Sequence, residues 1–212
     1  MSGQLACVGI GYALGNVLTA DIVCRRRHGV SAFDVGAGNP GMANVGHEFG
    51  TTDALLVLAG DIAKTLVACV GSRLLFPALG DRAALWAAVG ATLGHDYPIW
   101  HRFRGGKGVT TTCAGIILTS PVAGTISALA GAGVVAASGY LCLGALTIPA
   151  AFLCFQAATG EPERALGAAA LLALALPAHL PAALQIKTGE TPRTDLASTL
   201  RGVIDHLRGH RS

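Results

Sequence analysis

The chain has 212 residues, 52% of them hydrophobic and only 13% charged, with a formal net charge of +3. Soluble domains carry about 25% charged residues, so this balance excludes an ordinary water-soluble core and predicts an integral membrane protein. The small net charge gives no reason to expect a nucleic-acid partner.

The first apolar run, 5–23, has no basic leader and no clear small-x-small cleavage site, so it is expected as a retained span rather than a signal peptide. Residues 24–53 follow as a polar loop. It opens with Arg25, Arg26, Arg27 and His28, which suit an anchor to anionic lipid and a topology signal. It continues as Phe33-Asp34-Val35-Gly36-Ala37-Gly38-Asn39-Pro40-Gly41-Met42-Ala43-Asn44, a composition that favours turns with positive φ and inward-facing amides. The second apolar run, 54–79, carries Asp61 and Lys64 three residues apart on one helix face. Charges at membrane depth mark either function or a mutual pair, and the sequence leaves both open.

A third run, 83–100, leads into Gly94-His95-Asp96-Tyr97-Pro98-Ile99-Trp100-His101-Arg102-Phe103-Arg104-Gly105-Gly106-Lys107-Gly108. Gly-Gly-Lys-Gly uncovers backbone N–H groups beside an ammonium, which suits a phosphate. The run 109–158 is too long for one helix, and Ser120-Pro121 and Ser138-Gly139 are its natural breaks. A short acidic loop, 159–163, precedes the last run, 164–185, which contains His179. The residues from 187 to 212 read as a polar tail, forming a short amphipathic element on the membrane surface.

Basic residues gather at 25–27, at 102–107 and from Lys187 to Arg211. Placing all three clusters in the cytoplasm requires three crossings within 109–158. The expected fold is therefore an all-α polytopic bundle of about seven transmembrane spans, N-terminus out and C-terminus in, with six spans as the alternative. Residues 1–186 would form one transmembrane domain, with loops 24–53 and 98–110 on the cytoplasmic side. Glycine is abundant, at 29 residues, and Gly11/Gly15 and Gly90/Gly94 have the spacing of close helix contacts. At this glycine content such pairs also arise by chance. The six cysteines show no metal-binding or disulfide pattern, and no metal or cofactor is expected.

Two amide-rich loops on one face would make a positively charged pocket. Lys107, with the amides of Gly105, Gly106 and Gly108, is the candidate for one phosphate, aided by bidentate contact from Arg104. The amides around Gly38 and Gly41, with Asn39 and Asn44, would orient a second substrate. His95 is a candidate general base or phosphate donor, whereas His179 is as well explained by burial against a neighbouring helix.

Together these segments resemble the bacterial acyl-phosphate:glycerol-3-phosphate acyltransferase family, small polytopic enzymes of the inner membrane. Gly36–Asn44 stands against a family pattern Gly-Ser-Gly-Asn-Pro-Gly-Ala-Thr-Asn. Gly60-Asp61-Ile62-Ala63-Lys64 matches Gly-Asp-x-x-Lys. Gly94-His95-x-x-Pro98 and Phe103-Arg104-Gly105-Gly106-Lys107-Gly108-Val109 carry the most specific match, with Arg104 where lysine is usual. His179 followed by Gly189-Glu190 is a weaker fourth.

The resemblance implies transfer of a fatty acyl group from acyl phosphate to glycerol 3-phosphate, giving lysophosphatidic acid for phospholipid synthesis. It implies His95, Lys107, Asn44 and His47 as catalytic positions. Gly38, Asn39, Gly41, Asp61, Lys64, Arg104, Gly105, Gly106, Gly108 and His179 would bind substrate, with a multi-pass location in the cell membrane. Ala37 replaces the family's serine, His47 its arginine, Leu180 a second arginine and Ala182 its asparagine. These departures keep open an alternative, a catalytically impaired paralogue that binds phosphate-bearing lipid precursors. A transporter is a distant third reading, because no internal repeat is evident.

Overall fold

The computed structural model describes residues 2–194, and those residues are helical with no strand. Nine helices run in order: α1 Ser2–Gly15, α2 Thr19–His28, α3 Met42–Phe49, α4 Thr51–Leu75, α5 Asp81–Asp96, α6 Val109–Thr119, α7 Pro121–Ser138, α8 Leu141–Ala158 and α9 Pro162–Leu184. Five stretches among the described residues are long and apolar enough to cross a membrane: α1 with α2, α4, α7, α8 and α9. Helix α5 has 16 residues and α6 has 11. At 1.5 Å per residue α6 spans about 16 Å, roughly half the ~30 Å hydrocarbon core. Of the about seven spans expected, five are thus long and apolar enough by themselves, and α5 and α6 are shorter helices packed in the bundle.

The expected breaks within 109–158 are where the helices part. Ser120 caps both α6 and α7, with Pro121 opening α7, and Gly139 ends α7 at φ 78°. The first run is less regular than its composition suggests. It breaks at Asn16–Leu18, between α1 and α2, rather than running straight through 5–23. Carbonyl groups freed at membrane depth need donors from the protein, and the side chain of Lys64 supplies them.

Helix α5 is the axis of the bundle, with 12 of its 16 residues buried. Its contact with α1 depends on glycine. A Cβ on Gly11 or Gly15 would strike the Ala87 or Ala91 carbonyl, and one on Gly90 or Gly94 would strike that of Val8 or Tyr12. The two small-residue pairs therefore interlock reciprocally, so their spacing here is not a chance product of composition. This close approach also aligns the C-terminal ends of α1 and α5, where the polar loops leave.

Contacts sort the ends of the helices. At one end Glu163 accepts from Gln4 (3.2 Å), Trp86 (3.0 Å) and Arg82 (2.8 Å), tying α1, α5 and α9. At the other end lie the loops after α2 and α5. The turn before α8 is joined by the Thr194 N–H, which donates to the Gly139 carbonyl at 2.7 Å. The expected amphipathic tail falls mostly on residues 195–212, outside the described residues.

Candidate active site

Asp61 and Lys64 meet as a buried ion pair, Nζ to Oδ1 at 2.8 Å, one turn apart on α4. Lys64 Nζ also donates to the carbonyls of Gly15 (3.3 Å) and Val17 (2.9 Å) at the α1–α2 break, and meets His95 Nδ1 at 2.9 Å. The mutual pair that the sequence left open is thus formed. It fixes packing by capping α1, whose carboxyl-terminal dipole favours a cation, and it also touches His95 near the carboxyl end of α5.

An ammonium only donates, so His95 Nδ1 must accept and the ring proton sits on Nε2. That assignment rests on the hydrogen-bond network. Nε2 faces Gly106, where a Cβ would collide with it. Thr19 Oγ1 donates to Asp61 at 3.1 Å, so the carboxylate is held from both α2 and α4.

The Gly-Gly-Lys-Gly loop folds back tightly over the end of α5. The Gly106 N–H donates to the His95 carbonyl at 3.0 Å, and Gly105 leaves no room for a Cβ against that carbonyl and Pro98. The Gly106 amide, expected to hold phosphate, is thus spent within the protein. The two glycines serve close packing on His95, and the Lys107 ammonium remains exposed. His179 Nε2 meets the Lys107 carbonyl at 3.1 Å, anchoring the loop to α9. Gly108 takes φ 64° as the cap of α6. Arg102 and Phe103 are successive non-glycine residues in the left-handed region, at φ 55° and 59°; such strain is sparsely populated and gathers at functional loops.

The upstream loop is braced by Asn44. Its Oδ1 accepts the Ala37 N–H at 2.8 Å and its Nδ2 donates to the Val35 carbonyl at 3.0 Å. The amides of Gly38 and Gly41 donate to Val35 and Asn39 carbonyls, so they shape the turn rather than stand free. His47 lies exposed on α3 beside Glu48, Nδ1 to Oε1 at 2.9 Å.

The two loops meet where Phe33 packs on His101, ring centroids 5.4 Å apart. A shallow cleft of about 190 Å³ opens there, lined by Phe33, Trp100, His101, Arg102 and Arg104. A second, much narrower gap of about 10 Å³, room for about one water, lies between Lys107, Gly108, Asp96 and His179 at its polar end and Ala145, Ile148 and Ala175 at its apolar end.

Several residues that hold this arrangement together had no motif to mark them. Asp21, buried at the end of the first apolar run, accepts from Ser31 Oγ (2.6 Å), the Ala32 N–H (3.0 Å) and Arg25 (2.7 Å), and meets His101 at 3.4 Å. Asn16 accepts the Ile99 N–H at 2.6 Å. Asp53 holds Arg27 and, at 2.8 Å, His28. Three of the four basic residues read as a lipid anchor thus pair internally. The signal available was the rarity of carboxylates beside apolar runs.

Comparison with known proteins places this geometry. The family model described as glycerol-3-phosphate acyltransferase matches residues 5–188. The chain belongs to this family. Among curated relatives, glycerol-3-phosphate acyltransferase 1 of Lactobacillus johnsonii is 42% identical over 123 residues, 58% of this chain and 59% of that protein. The matched stretch thus spans somewhat over half of that relative's length. The Symbiobacterium thermophilum acyltransferase is 36% identical over 146 residues, 68% of this chain and 71% of the relative.

Among solved structures, the glycerol 3-phosphate form of PlsY (YgiH), an integral membrane glycerol 3-phosphate acyltransferase, is similar at TM-score 0.81. It is 25% identical, and the match covers 93% of this chain and 98% of that one. The lysophosphatidic acid form of PlsY shares the fold at TM-score 0.77. This member of the acyltransferase family is a multi-pass integral membrane protein.

Proposed function

We propose that the protein transfers a fatty acyl group from acyl phosphate to the 1-hydroxyl of glycerol 3-phosphate, making lysophosphatidic acid and releasing inorganic phosphate, which carries off the hydroxyl proton. The observation that carries this reading is the amphiphilic gap beside Lys107. Lys107 and His179 stand at one end and Ala145, Ile148 and Ala175 at the other, so groups suited to a phosphate and to a lipid chain flank one narrow gap that substrate would have to widen. An acyl phosphate is an activated mixed anhydride. Positioning and neutralisation of charge therefore suffice to lower the barrier, and no covalent enzyme intermediate is needed.

In this mechanism Lys107 and Arg104 receive phosphate. His95, with its proton held on Nε2 by Lys64, donates to developing negative charge near Gly106. Asp61, Lys64 and His179 act by holding His95 and the loop in place. Asn44, Gly38, Asn39 and Gly41 shape the neighbouring turn that closes the site, and His47 can offer charge at its rim only when protonated.

The same reading places the site on the cytoplasmic face, with seven crossings, N-terminus out. Its support is the alternation of contacts along the chain. Gln4, Arg82 and Glu163 share one end. Ser120 accepts from Gln156 near the carboxyl end of α8 at 3.2 Å, so α6 runs from the site toward the opposite end despite its length. The basic residues 102–107 lie at the site end, as the positive-inside rule requires.

Single-turnover assays with radiolabelled glycerol 3-phosphate, supplied with acyl phosphate or with acyl-CoA, test the activity. Labelled lysophosphatidic acid from acyl phosphate, strongly reduced in Lys107→Ala, is the expected result. No product from either donor would overturn the reading and favour the binding paralogue.

A further inference from the structure

Asp96 follows His95 in the chain, yet nothing in the proposed transfer uses it. It is 5% exposed, and neither carboxylate oxygen has a hydrogen-bond partner among the described residues. Buried polar groups of native proteins are nearly always paired, and an orphan calls for an explanation. Lys64 is the cation whose field reaches it, but that ammonium is already bonded elsewhere. Lys64 is taken by Asp61, His95 and two carbonyls, and the neighbouring Thr92 hydroxyl donates to Thr111 at 3.2 Å. Asp96 is among the residues around the narrow gap that Lys107 and His179 also line, with both oxygens closed off in the absence of substrate. It abuts Gly108, where a Cβ would lie 2.8 and 3.0 Å from its two oxygens. Only a glycine there keeps both oxygens clear, and the amino-terminal end of α6 beside them favours negative charge.

Resting on the acyltransferase reading, we infer that Asp96 is a specificity-determining residue that accepts a hydrogen bond from the non-reacting 2-hydroxyl of the glycerol backbone. A carboxylate accepts and cannot donate, so its partner on glycerol 3-phosphate is a hydroxyl. It repels phosphate, which sends both phosphates toward Lys107 and Arg104 and leaves the polyol for the inner end. The reacting hydroxyl has to face the acyl phosphate, whose own negative charge a carboxylate would oppose. The second hydroxyl has no such neighbour. A site of this kind rejects an analogue with a carbonyl at that carbon, because two acceptors then face each other. It also rejects one with no oxygen there, because the carboxylate is left unpaired.

Isothermal titration on the full-length protein in detergent micelles, without acyl donor, compares glycerol 3-phosphate with dihydroxyacetone phosphate and with 3-hydroxypropyl phosphate. The wild type should bind glycerol 3-phosphate at least about 10-fold more tightly than either, the scale of a lost hydrogen bond to a charged group. Asp96→Asn, whose amide can donate to a carbonyl, should bring the ketone ratio within about 3-fold of unity. Its thermal midpoint should be no lower than that of the wild type, since no internal partner is lost; a packing role would lower it.

Lys107→Ala should weaken all three ligands by a similar factor. Discrimination below about 3-fold in the wild type overturns the inference, as does a ratio unchanged in Asp96→Asn. Either result would mean that solvent satisfies the carboxylate. If the same preparation forms lysophosphatidic acid, only the role of Asp96 has failed; if it neither binds nor acylates glycerol 3-phosphate, the acyltransferase reading has failed with it.

Discussion

Replacing Lys64 by methionine removes four interactions at once. Asp61, 2% exposed, loses its cation; the carbonyls of Gly15 and Val17 lose their donor; and His95 Nδ1 loses the partner that fixes its tautomer. Breaking one partner of a buried pair costs about 3–5 kcal/mol, because the remaining charge stays desolvated. For a chain of this size that is roughly 6–20 °C in Tm, at about 2–4 °C per kcal/mol. The cost is shared between an orphaned carboxylate and two uncapped carbonyls, and the two can be separated. Adding Asp61→Leu removes the orphan charge but not the bare carbonyls, so Asp61→Leu/Lys64→Met should recover at least about 1 kcal/mol over Lys64→Met. Activity should stay low in both variants, since neither restores the partner of His95. Thermal unfolding in one detergent, together with lysophosphatidic acid formation, reads both effects. A double variant as unstable as the sum of its single variants would refute the reasoning, because it would show that the two charges do not stabilise one another.

Gly106→Ala should abolish turnover and cost about 1–3 kcal/mol, the scale of overpacking, because the added methyl meets His95. Gly133→Ala, where a Cβ meets nothing within 4 Å, is the matched control and should hold or raise Tm by helix propensity alone. Asn44→Ala should lose both braces of the upstream loop and about 1–2 kcal/mol. Asn44→Asp, which keeps the acceptor for the Ala37 N–H, should lose less in the same melts. Lys107→Ala should leave Tm within about 1 °C, since its ammonium is exposed, while raising KM for the phosphate substrate in initial-rate assays.

Most of the helical plan was readable because membrane helices announce themselves by local composition. Ser120-Pro121 and Ser138-Gly139 parted the long apolar run where the helices part, and Asp61 with Lys64 was legible as a pair because three residues make one turn. The misreadings concern partners far away in the chain. Asn16 meets Ile99 across 83 positions, and no local pattern forecasts that bond. The Gly106 and Gly38 amides read as free donors because a sequence shows which N–H groups lack side-chain cover, not which carbonyls already hold them. The break at Asn16–Leu18 was hidden because nothing in 5–23 is a strong breaker; its cause is a lysine some 47 positions downstream.

The break in the first span has a consequence for biogenesis. Until the lysine of α4 arrives, no donor exists for the Gly15 and Val17 carbonyls, and bare amide dipoles in lipid favour an unbroken helix. The bend in the first segment is therefore satisfied only once α4 docks beside it. Because the same ammonium orients the histidine of α5, formation of the bend and competence of the site are a single assembly event.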